Sequence, residues 1–209
     1  MAEQAQPQQR LKLGLFGGSF DPVHLGHLAL ARVARDQLGL DQVLWLPAGQ
    51  PWQKLGQRAM TAAVHRQAMV ALTIAGEAGM LLDTRELLRA GPSYTVDTAE
   101  ALARQHPGAE LLLIIGQDQL GRLHSWQRWQ DLLGLVRLAV VARDGQEVRA
   151  SAEVLADVPA LPIERLAMPA VPISSTLVRA AASRGEDLTP MVGKKVAGYI
   201  AQHRLYSEY

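Results

Sequence analysis

The chain has 209 residues, 48% of them hydrophobic and 20% charged, and 21 basic against 20 acidic side chains leave a formal net charge of +1. That is enough for one domain with a sizeable core, and it carries no basic footprint for nucleic acid. There is no cysteine, which excludes disulfides, thiolate zinc sites and cysteine nucleophiles, and no apolar stretch nears the roughly 18 residues of a membrane span.

In chain order, residues 1–10 (MAEQAQPQQR) are polar and lack the apolar centre of a secretory signal. They are expected to be a disordered tail, with residues 11–209 as a single domain in the cytoplasm. Leu11–Phe16 (LKLGLF) has the pattern of a strand, followed by GGSFDPVHLGH and a helix from about Leu25 to Leu38. A second strand at Gln42–Leu46 leads into PAGQPWQK, and helical patterns follow at about 61–76 and 95–105. Leu111–Ile115 is continuously apolar, as in a strand covered on both faces of a parallel sheet. GQDQL follows it, then a helical stretch at 127–133, a strand at Leu138–Ala142 ending in RDG, and a helical stretch at 147–156. Asp157–Pro172 contains four prolines around one short strand at about 163–167. PISSTLVR then opens a helix at 177–183, and a last amphipathic helix runs from about Met191 to His203. Strand–helix alternation of this kind predicts an α/β, Rossmann-like, doubly wound and mainly parallel sheet with helices on both faces.

Ligands in such sheets sit beyond the carboxyl ends of the strands, and most of the unusual polar residues fall there. Gly17 and Gly18 remove side chains where a backbone can approach a phosphate, and Ser19 adds a hydroxyl. The helix near Leu25 offers free N–H groups and a partial positive charge to an anion. His24 and His27, three residues apart, would stand beside that anion. Two such histidines are less often a chance surface pair beside these glycines and a helix start, and less often still a metal site, since no third ligand is near in sequence. Neither a Walker lysine motif nor a GxGxxG fingerprint is present. Ser174, Ser175 and Thr176 precede a helix, where one hydroxyl suffices as an N-cap; with Arg179 one turn on, the group suits a second phosphate site.

GGSFDPVHLGH resembles the HxGH signature of the nucleotidyltransferase superfamily, and ISSTLVR resembles its ISSTxxR signature. Between them, GPSYTVDT (91–98) and GQDQLGRLHSW (116–126) are similar to the bacterial nicotinate-nucleotide adenylyltransferases. The resemblance extends from Leu11 over nearly the whole chain. It implies adenylyl transfer from ATP to nicotinate mononucleotide, with Mg²⁺ travelling on the ATP. It also implies that Gly17, Gly18, Ser19, His24, His27, Gly116, Asp118, Ile173, Ser174, Ser175 and Arg179 bind ATP. His24, His27, Lys54 and Arg179 are then the catalytic groups around the phosphates. Tyr94, Thr95 and Trp126 match positions that hold nicotinate, the indole by stacking and nearby main-chain N–H groups by binding the carboxylate.

One departure is PWQK at 51–54, where many relatives have PPHK: Lys54 is kept, while Trp52 and Gln53 replace Pro and His. Of Trp126 and Trp129, one is expected to face a ligand and the other to pack. Arg143 suits a phosphate or a solvated loop, Asp21 and Asp97 suit braces, and His65, His106, His124 and His203 suit surface or packing roles. Two other functions fit parts of the pattern: transfer to another phosphate acceptor such as phosphopantetheine, and a nucleotide-binding module without turnover. Oligomeric state is open, a homo-oligomer included, as are the degree of nicotinate preference and any motion of residues 48–60.

Overall fold

Alternation of apolar side chains between two faces builds the sheet that positions everything else. The computed structural model describes residues 10–51, 60–142 and 147–207, with Gln50 and Pro51 as backbone alone. Lys54, Trp52, Gln53, Arg143 and the tail to residue 9 lie outside the described residues.

Strand β1 (Lys12–Gly18) leads into helix α1 (Leu25–Leu38) and strand β2 (Gln42–Pro47). Helix α1 buries Leu28, Ala31 and Ala34 at helical spacing, and it ends at Gly39, whose φ of 61° suits glycine. A two-residue strand, β3 (Gln50–Pro51), precedes α2 (Ala63–Ile74), β4 (Met80–Leu82), α3 (Arg85–Leu88) and β5 (Pro92–Ser93). Helix α4 (Thr95–Gln105) returns the chain to β6 (Glu110–Gly116), followed by α5 (Gln117–Leu120), α6 (Trp129–Leu135) and β7 (Arg137–Val141). Last come α7 (Ala152–Asp157), β8 (Ile163–Leu166), α8 (Ser175–Ser183), α9 (Thr189–Val192) and α10 (Lys194–Gln202).

The six longer strands pair in parallel in the order β4-β2-β1-β6-β7-β8, while β3 and β5 form a separate ribbon. Leu13 and Leu15 of β1 face one apolar cluster with Leu111, Leu113 and Ile115 of β6 and the inner sides of α4 and α6. Phe16, Val43, Trp45, Leu112 and Ile114 face the other, against α1, α2, α8 and α10. Each fully buried Leu, Ile or Phe contributes roughly 1.5–3 kcal/mol, so the central strands anchor both layers. This is the doubly wound α/β sheet expected from the alternation.

Three local differences have simple causes. The C-terminal helix is two helices, because Gly193 at φ 80° separates α9 from α10. Helix α7 begins only at Ala152, where the Ser151 hydroxyl accepts from the Val154 N–H. Strand β4 has three residues, too few to show a period of two.

Candidate active site

Strand order reverses between β1 and β6, since β2 and β4 continue on one side and β7 and β8 on the other. Their carboxyl ends carry Gly17 and Gly18 on β1 and Gly116 on β6. A side chain at Gly17 or Gly116 would meet no protein atom within 4 Å; both glycines open onto space. Two cavities meet there. The larger, about 500 Å³, is walled by His24, Gly26, Gly116 to Asp118 and Met168 to Ser174. The smaller, about 370 Å³, is walled by Gly17 to Phe20, Glu86, Ser93, Thr95 and Trp126. His27, Leu30 and Gly116 line both. Volumes of this order suit nucleotide-sized ligands.

The two histidines belong to the start of α1. His24 is the N-cap residue in extended geometry, and its N–H donates to His27 Nδ1 at 3.1 Å. Their rings stack with centroids 3.7 Å apart, and the Phe20 ring meets His27 edge-on. Gly26 makes this possible: a Cβ there would lie 3.1 Å from His24 Nδ1. Burial lowers the His24 pKa to about 4. Burial, and then the charge of His24, hold His27 well below its ordinary value. Both imidazoles are therefore neutral near pH 7. Because His27 Nδ1 accepts a hydrogen bond, its proton sits on Nε2, where it can be donated to an anion.

The main chain between Ser19 and Pro22 is bound from several elements. Arg179 of α8 donates to the Asp21 carbonyl at 2.8 Å and to Thr176 Oγ1 at 3.2 Å. Ser175 Oγ donates to the Pro22 carbonyl at 2.8 Å, and Ser174 caps α8 by accepting from the Leu177 N–H. Thus Ile173, Ser174 and Asp118 line the larger cavity, while Ser175 and Arg179 engage the turn beneath it.

At the other end, Thr95 opens α4 and lines the smaller cavity, whereas Tyr94 packs against the apolar layer. The Trp126 main-chain N–H donates to the Leu123 carbonyl at 2.9 Å, so that amide is already engaged. Its indole Nε1, buried and with no hydrogen-bond partner among the described residues, is the donor left on that side chain. Trp129 points into the core. Asp97 braces α4 through Arg89 and Arg128, both at 3.9 Å.

Sequence reasoning missed Arg66, Glu86 and Tyr206. Arg66, 1% exposed, donates to the carbonyls of Thr61 at 2.9 Å, Ser19 at 2.8 Å and Gly49 at 3.5 Å. Its signal was available: it stands on the apolar side of α2, one turn before Met69 and Val70. Glu86 accepts from the Thr98 hydroxyl at 2.9 Å, and burial raises its carboxyl pKa. Gly49 is needed beside it, since a Cβ would come within 2.2 Å of the Glu86 carbonyl. Tyr206 donates to Asp21 Oδ1 at 2.7 Å across 185 residues of chain, a contact with no local pattern.

Residues 15–181 match the family model described as cytidylyltransferase-like. A protein of Methylibium petroleiphilum named "probable nicotinate-nucleotide adenylyltransferase" is 45% identical over 97% of this chain and 95% of its own length. One of the same name from Bordetella petrii is 42% identical over 93% of this chain and 98% of its own. Among solved structures, the nicotinic acid mononucleotide adenylyltransferase of Plasmodium falciparum, complexed with NaAD, superposes with a TM-score of 0.78. It is 17% identical, over 96% of this chain and 99% of the other, a likeness of fold.

Proposed function

Since the chain belongs to the nicotinate-nucleotide adenylyltransferases, within the cytidylyltransferase-like family, we propose that it transfers an adenylyl group from ATP to nicotinate mononucleotide in NAD biosynthesis. The products are nicotinic acid adenine dinucleotide and pyrophosphate, and the setting is the cytoplasm. One observation carries the reading: His27 stands on the wall of both cavities, at the point where strand order reverses. A donor there faces ligands arriving from either side, as a reaction joining two nucleotides requires.

ATP takes the larger cavity, its adenosine beside Gly116, Asp118, Ile173 and Ser174, and its phosphates pass His24 and His27 to reach Gly17, Gly18 and Ser19 on the adjoining wall of the smaller cavity. Nicotinate mononucleotide takes the smaller, with the pyridine ring against Trp126 and its carboxylate toward Thr95. A 5′-phosphate oxygen attacks the α-phosphorus of ATP, a new P–O bond forms, and the bond to the β-phosphate oxygen breaks. The nucleophile is already anionic near neutral pH, so no general base is needed. Catalysis rests on in-line placement and stabilisation of charge on the leaving group. Neutral His24 and His27 serve as hydrogen-bond donors, and Arg179 supplies positive charge one layer below. Lys54 enters by family resemblance alone.

Mg²⁺ bound with ATP would supply charge neutralisation at the phosphates, with Asp118 as the residue of the larger cavity that would help hold it. The donor set fits such an ion: the larger cavity offers one acidic residue, Asp118, and magnesium keeps much of its shell as phosphate oxygen and water.

Pyrophosphate release should be measured with ATP and Mg²⁺ and, in parallel, nicotinate mononucleotide, nicotinamide mononucleotide or phosphopantetheine. Fastest turnover with the first is expected. Preference for phosphopantetheine would keep the chemistry and reassign the smaller cavity; ATP binding with no release from any acceptor would leave a binding module. His27→Ala is expected to lower kcat by about 10²–10³, the typical effect of losing one preorganised donor, with little change in melting temperature.

A further inference from the structure

The turn from Ser19 to Pro22 is held by two residues that the transfer chemistry above does not use. Arg66 reaches it from α2 and Tyr206 from the C-terminal segment, and neither is among the residues that wall the two cavities. Arg66 is nearly inaccessible, and its three hydrogen bonds go to main-chain carbonyls on three separate segments: Ser19 after β1, Gly49 after β2, and Thr61 before α2. Among the described residues it has no carboxylate within salt-bridge distance.

Burial disfavours the guanidinium's charge more than nearby Asp21 favours it, and an apolar side chain at a core-facing helical position would pack more cheaply. Departures of this kind from local rules are expected where a site must be held in shape. Tyr206 completes the arrangement. Its hydroxyl donates to Asp21 Oδ1, while Asp21 Oδ2 accepts from the Thr61 N–H at 3.4 Å. Thr61 therefore receives Arg66 on its carbonyl and binds Asp21 through its N–H, which joins the two contacts into one buried network.

We propose that Arg66 and Tyr206 are positioning residues for adenylyl transfer. Arg66 acts through the Ser19 carbonyl and Tyr206 through Asp21, and together they keep the backbone of Gly17–Pro22 at the height the ATP phosphates require. The inference rests on assigning that turn to ATP. Displacement of a reacting group by about 1 Å costs on the order of 10²-fold in rate, so remote residues that set its height have kinetic weight.

The test compares steady-state kinetics and thermal melting of the 209-residue chain and its variants. Tyr206→Phe keeps the ring and removes one hydroxyl. It is expected to lower kcat/KM for ATP about tenfold while KM for nicotinate mononucleotide stays within about twofold. Because Tyr206 acts through Asp21, the double variant Asp21→Asn/Tyr206→Phe should lose no more than Asp21→Asn alone. Arg66→Lys keeps the charge but not the span across three carbonyls; a loss of about 10² in kcat is expected. Lower melting temperatures with kcat and both KM values unchanged in Tyr206→Phe and Arg66→Lys would overturn the inference, leaving a purely structural role. Additive losses in the Asp21/Tyr206 pair would also overturn it. The His27→Ala control separates two kinds of failure. If His27→Ala keeps full turnover, the reading of the cavities falls. If it is inactive while Tyr206→Phe and Arg66→Lys behave like the parent, the positioning role alone falls.

Discussion

The two strand ends that face each other across the reversal are built on opposite plans. Both carry, at or next to their last residue, a glycine that opens onto space, yet the β1 end runs through a six-residue turn bound from several elements, while the β6 end passes straight into a short helix. At β1, the carbonyls of Ser19, Asp21 and Pro22 accept from Arg66, Arg179 and Ser175, and the side chains of His24 and His27 are stacked in place. At β6, fewer groups hold the chain, and a Cβ added to Gly116, as at Gly17, would meet nothing within 4 Å. Gln117 secures that end with a two-way hydrogen bond to the Arg149 backbone, at 2.7 and 3.0 Å. The difference suits a division of labour. On the proposed assignment, a charge-stabilising wall gains from rigidity, because preorganised donors need no rearrangement when charge develops, whereas the facing wall must leave volume for the nucleotide.

Adding one methyl group to a glycine on each wall puts that contrast at risk. Gly26→Ala places a Cβ 3.1 Å from His24 Nδ1, so the stacked imidazole pair must shift. A fall of about 10² in kcat is expected from that misplacement, visible in pyrophosphate release, with the chain still folded by circular dichroism. Gly116→Ala meets no protein atom and should melt like the parent. Its methyl group occupies ligand space, so about a tenfold rise in KM for ATP is expected. Equal effects of the two substitutions on kcat would erase the distinction between the walls.

A separate effect is on stability against pH. His24 titrates at about 4 in the fold, against 6.5 for an ordinary imidazole. As pH falls, the unfolded chain therefore takes up this proton first, and stability declines from about pH 6.5 down through about pH 4. The full linkage is on the order of 3 kcal/mol at 1.36 kcal/mol per pH unit. His27, also lowered by burial, acts in the same direction. Thermal melts between pH 7 and 5 should show a falling midpoint, and His24→Asn should flatten the slope. An unchanged slope in His24→Asn would mean that the His24 imidazole is not held neutral by burial.

Much of this site was legible as linear pattern. Helix α1 runs from Leu25 to Leu38 and α4 from Thr95 to Gln105, as expected from apolar spacing, because helix-period side chains and end residues are local signals. The glycines at 17, 18 and 116 could be located because they end apolar runs. The choice between Trp126 and Trp129 could be posed but not made, since an indole's surroundings depend on which helix packs over it. The main-chain amide expected at Trp126 went to the Leu123 carbonyl, a bond created by the short turn Leu123–Ser125 rather than by any residue's identity.

Local pattern along the chain was enough to set, within a residue or so, where β1, β2, β6, β7, α1 and α4 begin, which loops carry polar residues, and that HLGH stands at a helix entrance. These follow from periods of 2 and 3.6 residues and from cap chemistry, all of which act over a few positions. Tertiary packing alone settled that β1 lies beside β6, that His27 borders two cavities, and that Arg66 and Tyr206 reach the same turn. Those outcomes join residues up to 185 positions apart. They come from strand pairing and from the satisfaction of buried polar groups, and neither leaves a spacing in the chain from which the partner can be read.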